Sequence, residues 1–298
     1  MDELTTKRLA VIKQLYRQGV NQSYDTEPMN GFSLLSFHDS VEMFMKLCAE
    51  QKGVKIDRNV NFGDYFTKLP DLQCSATMNN FNSKRVNLKH YGTLPSKLDV
   101  EVSRTNVTDF FEQNTPIYFD VQFSEISLIA LIKYDSVKDY LSKALEDLDV
   151  DKFEDSILNS QIGFKELLYS HQKDKHLNYS SSFKITEDFT FMTSFSMNLK
   201  LNRKLDQFID KTGKSFSNLN EIVGIIGFGI DYKKYCKFKL LSPYIQVWPK
   251  EDGRKYESMK DEQIICNKKN AQFCFDFVID SSLQLQRFDF DITELRRN

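Results

Sequence analysis

The sequence predicts an α+β chain: an all-helical bundle over residues 1–124, then an α+β domain over 125–298 that joins a helical hairpin to antiparallel strands. Three observations carry this expectation. Apolar residues recur at helical spacing through roughly the first 125 residues. Phe183, Ile185, Phe189, Phe191, Phe195, Met197, Leu199 and Leu201 all fall on odd positions, the period of a strand with one buried face. The length, 298 residues, suits two domains of ordinary size.

In the first part, Thr5 or Thr6 caps a helix that carries Leu9, Ile12, Leu15 and Tyr16 on one face, and Gly19 stops it. A stronger second helix bears a wide stripe of Leu34, Leu35, Phe37, His38, Val41, Phe44, Met45 and Cys48 and ends before Gly53. A short helix with Tyr65, Phe66 and Leu69 stops at Pro70. The third long helix covers Leu72 to Lys89 and ends near Tyr91-Gly92, where glycine suits the left-handed residue after a helix. The fourth runs from Asp99 to Gln113, with Pro116 beyond its end. Short links make these helices antiparallel neighbours, as in a four-helix bundle.

Past residue 125 the expected helices are Val137–Leu148 and Phe153–Ser170, joined by an acidic linker. The alternating segment 183–201 then reads as a hairpin, followed by a helix at Arg203–Lys211 and an apolar segment, Ile222–Ile230, whose type stays open. Strands are expected at Phe238–Trp248, Gln263–Cys266, Phe273–Ile279 and Leu283–Ile292.

Composition sets limits. At 41% hydrophobic and 28% charged, the chain has material for a core and does not read as disordered. A net charge of −2 means that any nucleic-acid contact needs a local basic patch. Five scattered cysteines without a C-x-x-C pair fit reduced thiols. The start, Met1-Asp2-Glu3-Leu4, has no positive, apolar leader, and the longest apolar run is too short for a membrane span. The expectation is a cytoplasmic protein without membrane contact.

Several segments imitate known sites and fail. Gly213-Lys214-Ser215 ends like a phosphate-binding loop, but Phe208 holds the upstream glycine position. Asp147, Asp149 and Asp151 open like a calcium loop, yet Lys152 stands at the turn glycine and Leu158 at the closing glutamate. Gly224, Gly227 and Gly229 miss dinucleotide spacing and read as close-packing positions. His171 and His176 lack the carboxylate of a zinc motif, so neither a metal nor a cofactor is expected.

One constellation stands apart. Between Lys84 and Leu98 lie Lys84, Arg85, Lys89 and Lys97 together with His90, and no acidic residue. The patch closes a helix and precedes a Gly/Pro turn that keeps it accessible. Arg85-Val86-Asn87-Leu88-Lys89-His90, at the end of the third bundle helix, resembles the signature of HEPN domains, helical modules of prokaryotic toxins and defence proteins. The second helix, with His38-Asp39-Ser40-Val41-Glu42-Met43-Phe44, is similar to the corresponding helix of that family. Val86 departs from the family pattern, which often has a polar residue directly after the arginine.

The resemblance implies a metal-independent RNA endonuclease working as a homodimer with its sites at the interface, in a toxin or antiviral-defence setting and alongside a defence partner protein. His90 would be the general acid/base and Arg85 the phosphate and transition-state binder. Asn87 would orient substrate or His90, and Lys84, Lys89 and Lys97 would hold the RNA backbone. Five residues on a continuous helix turn through about 140°, so Arg85 and His90 share a face only if the helix ends early; otherwise two protomers complete the site. A plainer alternative stands beside this one. Arg85 pairs with Asp64, Asp71 or Glu101, His90 bonds the last helix carbonyls, and the module is a non-catalytic interaction or sensor domain.

Overall fold

The computed structural model describes residues 1–57, 59–174, 203–250, 253–259 and 264–287. The chain divides into two compact units, Met1–Leu131 and Ile132–Asn298. Helices dominate both, and a two-stranded antiparallel sheet belongs to the second.

The first unit is a helical bundle of α1 (Glu3–Ser23), α2 (Ser33–Gln51), the short α3 (Asp64–Lys68), α4 (Ser75–Tyr91) and α5 (Lys97–Phe119). The carboxylate of Asp2, not a threonine, caps α1 by accepting from the Thr5 N–H at 2.7 Å. Gly19 does not end this helix. A Cβ there would come within 2.6 Å of the Phe37 ring, so the glycine lets α1 and α2 cross closely. α2 is the central helix, with Leu34, Phe37, Val41, Phe44, Met45 and Cys48 buried among aromatic partners of α1 and α5.

α5 runs past its expected end and contains Pro116. A capping box at Ser96 and Asp99 starts it, and it closes at Asp120, in the left-handed region at φ 57°, whose N–H bonds the Pro116 carbonyl. The buried faces of Phe110, Phe111, Tyr118 and Phe119 lie on both sides of the proline, so tertiary packing carries the helix through it.

In the second unit α6 (Asp135–Asp149) and α7 (Phe153–Asp174) form the expected helical hairpin. α8 (Arg203–Gly227) absorbs most of the apolar segment that was open between strand and helix. Gly224 meets nothing within 4 Å of a built Cβ, so it is not a close-packing glycine; Gly229, at φ +69°, ends the local turn instead.

The strands beyond residue 237 are corrected almost throughout. Phe238 lies in α9 (Tyr232–Leu241), and pairing is confined to β1 (Tyr244–Lys250) and β2 (Gly253–Met259), with Tyr244 opposite Met259 and Trp248 opposite Lys255. Residues 264–267 are neither helix nor strand. Phe273–Ile279 and Leu283–Gln286 belong to α10 (Lys268–Gln286), capped by Asn267. Its buried residues, Ala271, Cys274, Phe275, Phe277, Val278, Ile279, Ser281, Ser282 and Leu285, cover a wide face of a helix, where strands were expected over Phe273–Ile279 and from Leu283. The hairpin expected over 183–201 and the strand residues from 288 onward lie outside the described residues. Rings of Phe164, Tyr235, Phe238 and Phe277 form the aromatic heart of this unit. Trp248 is half-exposed on β1 and donates to Glu257 at 3.1 Å. No described helix is long and apolar enough to cross a membrane.

Candidate functional site

The helix α4 begins after Cys74, a left-handed residue at φ 69°, and runs unbroken to Gly92, which closes it at φ 67° as expected. Met78, Phe81 and Leu88 are its buried residues. Arg85 falls on the same stripe, four residues after Phe81 and three before Leu88. A charged group therefore stands where the spacing of the core asks for an apolar one.

Facing it on α2 are His38 and Glu42, four residues apart and on one helix face. The His38 ring stacks on Phe62 at 5.1 Å and tilts against Phe81 at 6.4 Å. Its Nδ1 comes no closer than 3.6 Å to Asp39 and 3.8 Å to Glu42, too far for a hydrogen bond. Burial, and then the positive charge of Arg85, pushes the His38 pKa down from 6.5, which keeps the imidazole neutral at pH 7. Burial works to raise the Glu42 pKa, but a 2.7 Å contact with Lys46 and the charges of Lys46 and Arg85 outweigh it and hold the carboxyl below its ordinary value.

Three buried polar atoms around this carboxylate have no hydrogen-bond partner: His38 Nδ1, the Tyr65 hydroxyl of α3 and Arg85 Nε. Orphaned buried donors and acceptors are uncommon, and three on neighbouring helices mark a place where a bound group or water would be stabilised. None of the pairings of Arg85 with Asp64, Asp71 or Glu101 forms among the described residues.

The remaining sequence-predicted residues are spread over the end of α4 and the start of α5. Lys84 is engaged with Asp99 at 2.7 Å; that contact first, and Ser96 second, lowers the Asp99 pKa to about 2. Asn87 is exposed, and its backbone carbonyl accepts the Gly92 and Thr93 N–H groups at the helix end. Lys89 and His90 are exposed in the last turn, and Lys97 is exposed as the first residue of α5. Because α4 continues through Tyr91, Arg85 and His90 point about 140° apart. Early termination of the helix is thereby excluded as a way to join them within one chain. No three His, Cys, Asp or Glu side chains converge as a metal site among the described residues.

His38, Glu42, Lys46 and Tyr65 are not among the site residues expected from the sequence, although His38 and Glu42 lie in the α2 segment quoted for the family resemblance. His38 was counted as a member of the apolar stripe of α2, and a histidine four residues before a glutamate on that stripe was the available signal. No family model matches the chain, and searches of curated proteins and of solved structures found no match.

Proposed function

We propose that the first unit is a HEPN-like, metal-independent endoribonuclease that works as a homodimer. The reading is supported above all by Arg85, a guanidinium held on the inner stripe of α4 whose Nε has no partner, one turn from the exposed Lys89 and His90. A donor fork left open in this way suits a phosphate whose equatorial oxygens gain charge in the transition state. The continuity of α4 favours a composite site in which His90 of one protomer works with Arg85 of its partner.

In this scheme the substrate 2′-hydroxyl attacks the adjacent phosphorus and the bond to the 5′ oxygen breaks. His90 takes the hydroxyl proton and returns a proton to the leaving oxygen. Glu42 and neutral His38 orient the guanidinium without adding a competing positive charge, and Lys89 holds the backbone. In a toxin or defence setting, a partner protein would restrain or trigger the activity.

The second reading, a non-catalytic interaction module, is favoured by the pairing of Lys84 with Asp99. Incubation with total RNA in EDTA separates the two. The nuclease reading expects cleavage by the wild type and loss of about a hundredfold or more in Arg85→Ala and His90→Ala. It also expects partial recovery when the two variants are mixed, since exchange of protomers rebuilds one composite site. Wild-type protein that leaves RNA intact sinks the nuclease reading.

A further inference from the structure

The turn between α4 and α5 is apolar on its outside. Tyr91 is 76% exposed, Leu94 58%, Leu98 68% and Val102 40%. Leu98 and Val102 stand one turn apart on α5, on the side away from the buried Val100, Ser103 and Val107. Apolar side chains scattered singly over a surface need no explanation, but four gathered at one corner of a bundle mark a contact surface.

This corner is held in one shape. Gly92 closes α4 in the left-handed region, and the Thr93 N–H donates to the Asn87 carbonyl at 3.1 Å. Ser96 and Asp99 form the capping box that starts α5, and Lys84 ties Asp99 back to α4 at 2.7 Å. Pro95 lies against Gly31, where an added Cβ would come within 3.0 Å of the proline ring. A surface fixed in this way loses little conformational freedom when it is covered.

Charge identifies what covers it. Lys97 and Glu101 flank Leu98 and Val102, and neither has an ion-pair partner among the described residues. They stand one turn apart yet do not pair with each other, and lysine ahead of glutamate is the weaker order for a pair along a helix. A surface that carries both signs beside an apolar centre complements a copy of itself turned through a two-fold axis. We infer that this corner is the homodimer interface, with the first turns of two α5 helices antiparallel. Leu98 of each protomer meets Val102 of its partner, and Lys97 meets Glu101 of its partner. Lys97, assigned to RNA from the sequence, belongs to this contact. The Lys84–Asp99 pair sets the start of α5 level with Arg85, so the axis passes beside the stripe that lacks a histidine from the end of its own helix. The inference rests on the nuclease reading for that role of the dimer, and not for the contact itself.

Sedimentation equilibrium of the full chain tests it. The wild type should be dimeric at about 100 µM. Leu98→Asp, at an exposed position, should weaken the dimer at least about tenfold while its circular dichroism matches the wild type. Lys97→Glu and Glu101→Lys should each weaken it about tenfold alone, because like charges then face each other. A mixture of these two should dimerise as the wild type does, since both contacts are again of opposite sign. The interface is overturned by any of three results: a monomeric wild type at about 100 µM; a dimer that Leu98→Asp leaves intact; or a mixture of the charge variants no heavier than either alone. Cleavage of RNA keeps the two readings apart. A wild-type dimer that these variants weaken, but that leaves RNA intact, keeps the interface and sinks the nuclease. A monomeric wild type that cleaves RNA does the reverse.

Discussion

Between α2 and α4 the first unit places an arginine, a histidine, a glutamate and a tyrosine hydroxyl, three of them with buried atoms that lack partners. Between α7, α9 and α10 the second unit places rings, with Phe238 and Phe277 stacked at 4.5 Å and Phe164 edge-on to Phe238 at 5.3 Å. Both seams join packed helices, yet only the second is built to maximise burial. Buried charges seldom add stability over apolar groups of the same volume, whereas packed aromatic rings contribute through area and ring geometry. The polar seam is therefore the one whose composition asks for a functional explanation.

That contrast can be broken or sharpened by substitution. Phe277→Ala should cost about 3–5 kcal/mol in the second unit, measured as a lowered urea midpoint. A cost under about 1 kcal/mol would show that the rings carry little. In the first unit Gly19→Ala should cost about 1–3 kcal/mol, because its methyl group meets the Phe37 ring. This places the stability of the bundle in the apolar crossing of α1 and α2. Acid should then act on the polar seam. The folded His38 has a lowered pKa, so the unfolded chain binds more protons below pH 6.5. Stability from this group is complete above 6.5 and falls as pH drops toward the lowered value, at less than about 1.4 kcal/mol per pH unit. Denaturation midpoints across pH 5–8 should show this fall, and His38→Gln should flatten it.

The smallest effects are the most discriminating. Arg85→Leu should leave the denaturation midpoint unchanged or raise stability by about 1 kcal/mol, since leucine continues the stripe of Phe81 and Leu88. A loss of about 3 kcal/mol would instead mean that Arg85 holds the seam together, and the two seams would not differ in kind. Lys84→Ala, which removes a surface pair with Asp99, should cost under about 1 kcal/mol by the same measurement.

The bundle helices were legible because each buries one stripe, and spacing alone reveals a stripe. Their ends were less so. Gly19 and Pro116 are helix breakers by propensity, but a close crossing explains one and burial on both sides overrides the other. In α10 nine buried residues cover so wide a face that Phe273–Ile279 shows no narrow helical stripe, and spacing alone does not separate it from a buried strand. The site was legible as a basic helix end but not as a seam. Arg85 stood out by its neighbours in sequence, whereas its spatial neighbours His38 and Glu42 lie some forty residues earlier and look like one more turn of a buried helix.

Trp248 has a practical consequence of its own. It is the chain's single tryptophan, and it stands on β1 in the second unit, half in water. Indole emission therefore reports on one half of the molecule and is nearly silent about the other, whereas far-ultraviolet ellipticity draws on helices from both. An unfolding curve recorded in one colour of light would describe half a protein; two curves that coincide would show that the units melt as one, and two that separate would assign each transition to its owner.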